Sequence, residues 1–168
     1  MNSKNILKLP DLILFENYSG DWELYLDAIY SFFKKDFIES KPSYKGIKLG
    51  LKKYPMYKNK EATFWHFVSE GEMENERTPD LKRCERIRWP RPIIENPDSD
   101  NIKFWENKRG LKENICLCFG EWEYLVVLRK GNNYLIPWTA YCSKYEHTKR
   151  KWEKEYNEYI VQKANTAS

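Results

Sequence analysis

The chain has two histidines, and one of them, His66, sits among residues that could tune it for proton transfer. In ATFWHFVS (62–69) the run of bulky residues predicts a strand with Phe64, His66 and Val68 on one face. Apolar neighbours would then keep the imidazole neutral near pH 7 and usable as a base. A core histidine satisfied by a single hydrogen bond is the plain alternative. Cations lie downstream. Lys82, Arg83 and Arg86 are three and four apart, so one helical face would carry them as a phosphate cluster, with a solvated basic face as the alternative. Arg129 ends one apolar segment and Arg109 precedes another. Thr139 and Tyr141 occupy alternate positions at the end of YLIPWTAY and should project to the same side. A base for a ribose 2′-hydroxyl, cations for the phosphorane and an acid for the leaving oxygen are the whole inventory that metal-independent RNA cleavage requires.

The elements that must position these groups are readable from pattern. Ile115 to Phe119, Tyr124 to Leu128 and Tyr134 to Trp138 are short apolar segments separated by Gly120-Glu121 and by Lys130-Gly131-Asn132-Asn133, which predicts a three-strand antiparallel meander over 113–141. Ile102 to Trp105 and Arg109-Gly110 lead into it. A helix over 22–37 is predicted from Asp21 as N-cap and the stripe Trp22, Leu26, Ile29, Phe33, Phe37, with Pro42 as its stop. Lys45 to Lys52 alternates like a strand with Ile47, Leu49 and Leu51 inward. Thr78-Pro79-Asp80 predicts a second helix over 79–89, with Thr78 as N-cap and Leu81, Cys84 and Ile87 buried. Ser143 and Glu146 form a capping box for a third over 143–162, striped by Tyr145, Trp152, Tyr156 and Tyr159. The expected fold is α+β: a small antiparallel sheet flanked by helices. All 168 residues should form a single domain, with 1–20 a loosely packed lead-in, 71–78 an acidic mobile loop and 163–168 a frayed tail.

Composition narrows the chemistry. The chain is 41% hydrophobic and 16% aromatic, which excludes disorder, and its net charge of +4 is too mild to name a polyanionic partner by itself. Distribution says more. Residues 41–60 carry seven Lys and no acid, and 77–91 carry six basic residues against Asp80 and Glu85. No phosphate-binding glycine loop, HExxH, GxSxG or EF-hand pattern occurs. No carboxylate cluster accompanies the histidines and no CxxC pair exists, so neither a metal nor a cofactor is expected, and Cys84, Cys116, Cys118 and Cys142 read as buried hydrophobes. His147 reads as a surface residue. No apolar run approaches the roughly 20 residues of a membrane span, and no signal peptide is evident at the N-terminus, so a cytoplasmic protein without a membrane partner is expected.

The order of a helix, FWHFVSEG, RTPDLKRCERIRWP, a three-stranded run closing in YLIPWTAY and a charged final helix resembles in layout the small phage- or toxin-associated nucleases grouped with barnase, EndoU, colicin-D and RelE. The likeness covers Trp22 to Tyr159. It implies helices on one side of the sheet, RNA on the sheet surface, His66 as base, and Thr139 with Tyr141 at the end of the final strand as further site residues. The expectation is therefore a metal-independent endoribonuclease, with Lys82, Arg83, Arg86, Arg109 and Arg129 holding RNA phosphates and a neutralising protein as a second partner. The alternative is a non-catalytic inhibitor or antitoxin-like module that uses the aromatic and Arg-rich surface as an interface.

Overall fold

The computed structural model describes residues 3–167. In chain order it contains α1 (Trp22–Lys34), the short strands β1 (Ser43–Tyr44) and β2 (Ile47–Lys48), α2 (Ala62–Val68), β3 (Ser69–Glu70), β4 (Thr78–Pro79), α3 (Leu81–Glu85) and α4 (Pro90–Glu95). The long strands β5 (Ile102–Arg109), β6 (Lys112–Phe119), β7 (Tyr124–Gly131) and β8 (Tyr134–Cys142) follow, and α5 (Glu146–Thr166) closes the chain.

The architecture is α+β, as the pattern implies, and its centre is an antiparallel sheet in the order β5-β6-β7-β8. The meander therefore has a fourth member. Lys103, Glu106, Asn107 and Lys108 dilute the apolar signal of β5, because an edge strand keeps much of its length in contact with water. Helices cover both faces of the sheet rather than one. Ile115, Leu117, Val126, Leu128, Leu135 and Ala140 join Ile29 and Phe33 of α1, Phe64 and Phe67 of α2 and Ile93 and Ile94 of α4 in the main core. On the opposite face Trp105, Cys116, Cys118, Leu125 and Val127 pack with Trp152 of α5. Asp21 caps α1 by accepting the Leu24 N–H, and Tyr25, Leu26, Ile29 and Phe33 form its buried stripe, which a wider helical turn at Lys35–Glu39 extends to Phe37.

Several local expectations are corrected. Residues 62–68 are helical, and all seven are buried. A short helix enclosed on every side has no polar stripe, so its sequence carries no period to separate it from a strand. Its first N–H groups are satisfied from outside, by Lys53 O on Ala62 N and Lys52 O on Thr63 N. Of Lys45 to Lys52 only Ile47–Lys48 is a strand, and Ile47 faces solvent while Leu49 is buried. Asp80, not Thr78, caps α3, accepting from Lys82 N and Arg83 N, because Thr78–Pro79 is drawn into pairing with Ser69–Glu70. The helix expected over 79–89 is divided, and Pro90 opens α4 instead of closing its predecessor, since a first-turn proline gives up no hydrogen bond. Ser143 does not cap α5: its hydroxyl donates to Trp122 O, Tyr145 occupies the cap position 61% exposed, and the helix runs over Glu146–Thr166. The segment before α1 is tied down by Asn5 N on Asp100, Leu7 N on Asn101, Trp89 Nε1 on Pro10 O and Tyr25 OH on Ile13 O.

Candidate functional site

The last strand is irregular at one place. Val127 pairs with Thr139 and Leu128 with Pro137, so Trp138 is an extra residue, a β-bulge on the edge strand of the sheet. A bulge bends its strand and re-aims side chains and carbonyls. Here it turns the Trp138 carbonyl toward the end of α2, where His66 Nδ1 lies 3.2 Å away, and the two rings meet edge to face at 5.0 Å. Beyond the bulge Thr139 and Tyr141 share a side, as alternation predicts.

His66 is 4% exposed, and its second nitrogen, Nε2, is 2.6 Å from Glu74 Oε1. Both partners are acceptors, so a neutral ring with one hydrogen satisfies one of them at a time, whereas the imidazolium satisfies both. Burial lowers the His66 pKa below the ordinary imidazole value, with Arg77 and Lys52 pushing the same way and the hydrogen bond and charge of Glu74 opposing. For Glu74 the burial contribution is unfavourable to the carboxylate, but hydrogen bonds from His66 and from Lys52 Nζ at 3.3 Å outweigh it and hold the carboxyl below its usual range.

Two arginines close the end of α2. Arg83 Nη1 donates to His66 O (3.1 Å), Ser69 O (2.8 Å) and Thr139 Oγ1 (3.2 Å), and its guanidinium lies 5.1 Å from the Tyr141 ring centre. Arg77 donates to Ser69 Oγ, Gly71 O and Ser69 O. These cations occupy the carbonyl end of a short helix, where its unpaired acceptors and dipole favour positive charge. Among the described residues Arg83 Nη2 makes no hydrogen bond, and Arg83 Nε, 3.9 Å from Asp80 Oδ2, is the one buried side-chain nitrogen or oxygen without a hydrogen-bond partner. His66, Glu70, Glu72, Glu74, Arg77, Arg83, Trp138, Thr139 and Tyr141 line one cleft of about 290 Å³. Burial raises the Tyr141 pKa, so its phenol is protonated at neutral pH.

Of the residues singled out in the sequence, the fold thus gathers His66, Arg83, Thr139 and Tyr141. Arg129 stands next to this group, stacked 3.7 Å above the Trp138 ring and donating Nε to Asn114 Oδ1. Lys82, Arg86 and Arg109 are elsewhere. Arg86 lies 5.0 Å over Trp89 and donates to Lys82 O, Lys82 points to solvent, and Arg109 pairs with Glu155 of α5 at 3.7 Å. The expected phosphate cluster on one helical face is therefore dispersed, because α3 ends at Glu85 and Arg83 turns inward while Arg86 does not. Sequence reasoning missed Glu74, Arg77 and Trp138. The acidic stretch before α3 hides Glu74 among similar residues, and nothing in YLIPWTAY announces a bulge.

Among the described residues no group of three or more His, Cys, Asp or Glu side chains is arranged to hold a metal ion, and no helix is long and apolar enough to cross a membrane. All four cysteines are free thiols, three of them buried. No family model matches the chain, and no curated protein or solved structure is significantly similar to it. The likeness in layout to toxin-type nucleases accordingly carries no argument about the site, which rests on its own geometry.

Proposed function

We propose that the chain is a metal-independent endoribonuclease whose reacting groups meet in the cleft between the end of α2 and the bulged strand β8. The observation that carries this reading is the imidazole–carboxylate pair at 2.6 Å, set in one cleft with two guanidinium groups and a protonated phenol. Glu74, whose side chain is 39% exposed, faces the solvent side of the pair, and His66 stands behind it. A proton taken from a ribose 2′-hydroxyl by the carboxylate can pass to His66 Nε2, giving the imidazolium that satisfies both Glu74 and the Trp138 carbonyl. The unused Nη2 of Arg83 supplies charge to the phosphorane, and Tyr141 donates to the departing 5′-oxygen. Thr139, whose hydroxyl accepts from Arg83 and donates to His66 O, positions these groups and does not react.

The 2′-oxygen to phosphorus bond forms as the bond to the 5′-oxygen breaks, so the products carry a 2′,3′-cyclic phosphate and a 5′-hydroxyl. DNA, which lacks the nucleophile, should be inert. Incubating the purified chain with total RNA in EDTA tests this. Glu74→Gln and His66→Ala should each lose about a hundredfold to ten-thousandfold in rate, the usual contribution of a general base. Equal cleavage by wild type and both variants would remove the pair from the chemistry. Cleavage by none of them would favour the protein-interaction module.

A further inference from the structure

Glu74 and Arg77 line a second groove as well as the cleft. This neighbour, about 450 Å³, is floored by Trp22 and Trp65 and walled by Pro55, Met56 and Tyr57. Pro55 to Lys58 form its outer rim, and Lys53 and Tyr54 directly precede that rim in the chain. Tyr54 is 68% exposed and Tyr57 60%, and each has a lysine ammonium 5.6 Å from its ring centre, Lys53 and Lys58 respectively. Tyr57 also leans on Trp65, ring centres 5.3 Å apart, and its carbonyl accepts the Trp65 Nε1 hydrogen bond at 3.0 Å. The rim is thus held against α2, whose consecutive residues Trp65 and His66 serve groove and cleft in turn.

We propose that this groove is the path of a single RNA strand running away from the phosphate bound in the cleft, with bases on Tyr54 and Tyr57 and phosphates on Lys53 and Lys58. Charge and ring geometry select that occupant. Residues 41–60 carry seven lysines and no acid; Lys52 pairs with Glu74, Lys60 with Asp27 and Lys58 with the exposed Glu23 at 3.9 Å, a surface pair that a phosphate can displace, while Lys53 has no ion pair among the described residues. Lysine is depleted at protein–protein interfaces, whereas exposed rings alternating with cations are the working parts of single-strand nucleic-acid surfaces. Duplex RNA stacks its bases internally and offers no free base face to such rings. The direction of the path rests on the ribonuclease reading, but the binding surface can be measured without it.

The probe is a fluorescein-labelled 12-nucleotide 2′-O-methyl RNA, which has no free 2′-hydroxyl and survives any cleavage. Fluorescence anisotropy should show binding by the wild-type chain that weakens with salt. Tyr54→Ala should weaken it about fivefold to a hundredfold, the range for loss of one base–aromatic stack. Lys53→Gln with Lys58→Gln should flatten the log–log salt slope by about 1.4, at about 0.7 per single-strand phosphate contact. Tyr54 and Lys53 are exposed, so these changes spare the fold. A dinucleotide too short to reach the groove should be cleaved equally by wild type and by Tyr54→Ala. Failure of the wild type to bind the 12-mer, or equal binding by all variants, overturns the groove even if the dinucleotide is cut. Binding that weakens as stated, with no RNA cleaved, supports the groove and removes the catalytic reading instead.

Discussion

Arg83 and Thr139 both donate to the His66 carbonyl, and a double-mutant cycle measures how far each stands in for the other. Arg83→Met removes donors to His66 O, Ser69 O and Thr139 Oγ1, yet neither carbonyl is orphaned, because Thr139 Oγ1 still donates to His66 O and Arg77 Nη2 to Ser69 O. The loss is therefore that of charge-assisted hydrogen bonds with water as their competitor, about 1.5–3 kcal/mol. It is partly offset by removing a buried Nε that has no hydrogen bond, while Asp80, 3.9 Å from that Nε, keeps Lys144 Nζ at 3.0 Å. We expect about 2 kcal/mol, and Met is a good helix former, so propensity adds nothing. Thr139→Val removes two hydrogen bonds, the neutral one donated to His66 O and the one accepted from Arg83 Nη1, which keeps both of its carbonyl acceptors, for about 1–2 kcal/mol in all. In the double variant the His66 carbonyl, at the end of a fully buried helix, loses both donors and takes on the further cost of an unsatisfied buried acceptor, about 1–3 kcal/mol. The direct Arg83–Thr139 bond is already lost in each single variant and offsets about 1 kcal/mol of this, so the double variant should be less stable than the sum of the singles by about 1 kcal/mol. Urea unfolding followed by tryptophan fluorescence measures all four proteins. A coupling energy below about 0.5 kcal/mol, the level at which independent sites add, would refute the shared-carbonyl reasoning.

The depressed pKa of His66 fixes the sign of an acid effect. Its unfolded pKa is near 6.5, so the stability it contributes is fully present above that value and is lost as pH falls through the lower folded pKa. The loss should approach about 1.4 kcal/mol per pH unit for one proton, and His66→Gln should flatten it in urea titrations between pH 7.5 and 5; the same slope in both proteins would contradict the assignment. The depressed Glu74 pKa acts below its usual range near 4.5 and so falls outside this window. Burial pushes the thiols of Cys84, Cys116 and Cys118 up to about 12, while Cys142 is only half-buried. With Ellman's reagent at pH 8 only Cys142 should react in the native protein, and the others should appear on unfolding; four equally fast thiols would sink this.

What the sequence made legible is what periodicity and turns encode. Strands β6 to β8, with alternating or β-branched runs between Gly- and Asn-containing turns, lie close to where pattern puts them, and so does α1 with its cap and stripe. The site was legible in parts, as residue types. His66, Arg83, Thr139 and Tyr141 could be nominated because imidazole, guanidinium and hydroxyl groups are few and chemically distinctive. Their arrangement could not. Pattern made α2 a strand because a seven-residue helix buried on all sides has no polar face, and Glu74 was one of four acids between 70 and 76, with no local reason to prefer it. Its selection is tertiary: the loop returns over α2 through pairing of Ser69–Glu70 with Thr78–Pro79, which brings Glu74 onto the imidazole.

The bulge on β8 explains why the cleft is at the edge of the sheet and not on its face. Helices cover most of both faces, α1, α2 and α4 on one side and α5 on the other, and the openings left on the sheet lie toward the far ends of β5 to β8, around Glu106, Ile115 and Lys130. An edge strand instead leaves carbonyls to be answered from outside. Gly50 N answers Leu135 O at 2.8 Å, and His66 Nδ1 answers Trp138 O. The imidazole is thus at once an edge cover and half of an acid–base pair, and the two roles compete for one hydrogen. With Nδ1 donating to Trp138 O, Nε2 presents a lone pair to the Glu74 carboxylate; with Nε2 donating to Glu74, the edge carbonyl goes unanswered. A second proton resolves the conflict, while burial resists the charge that it brings. The opposition between unmet acceptors and desolvation leaves His66 neutral at pH 7 and, in the proposed reaction, the acceptor of the proton passed through Glu74, and the bulged backbone at Trp138 places it there.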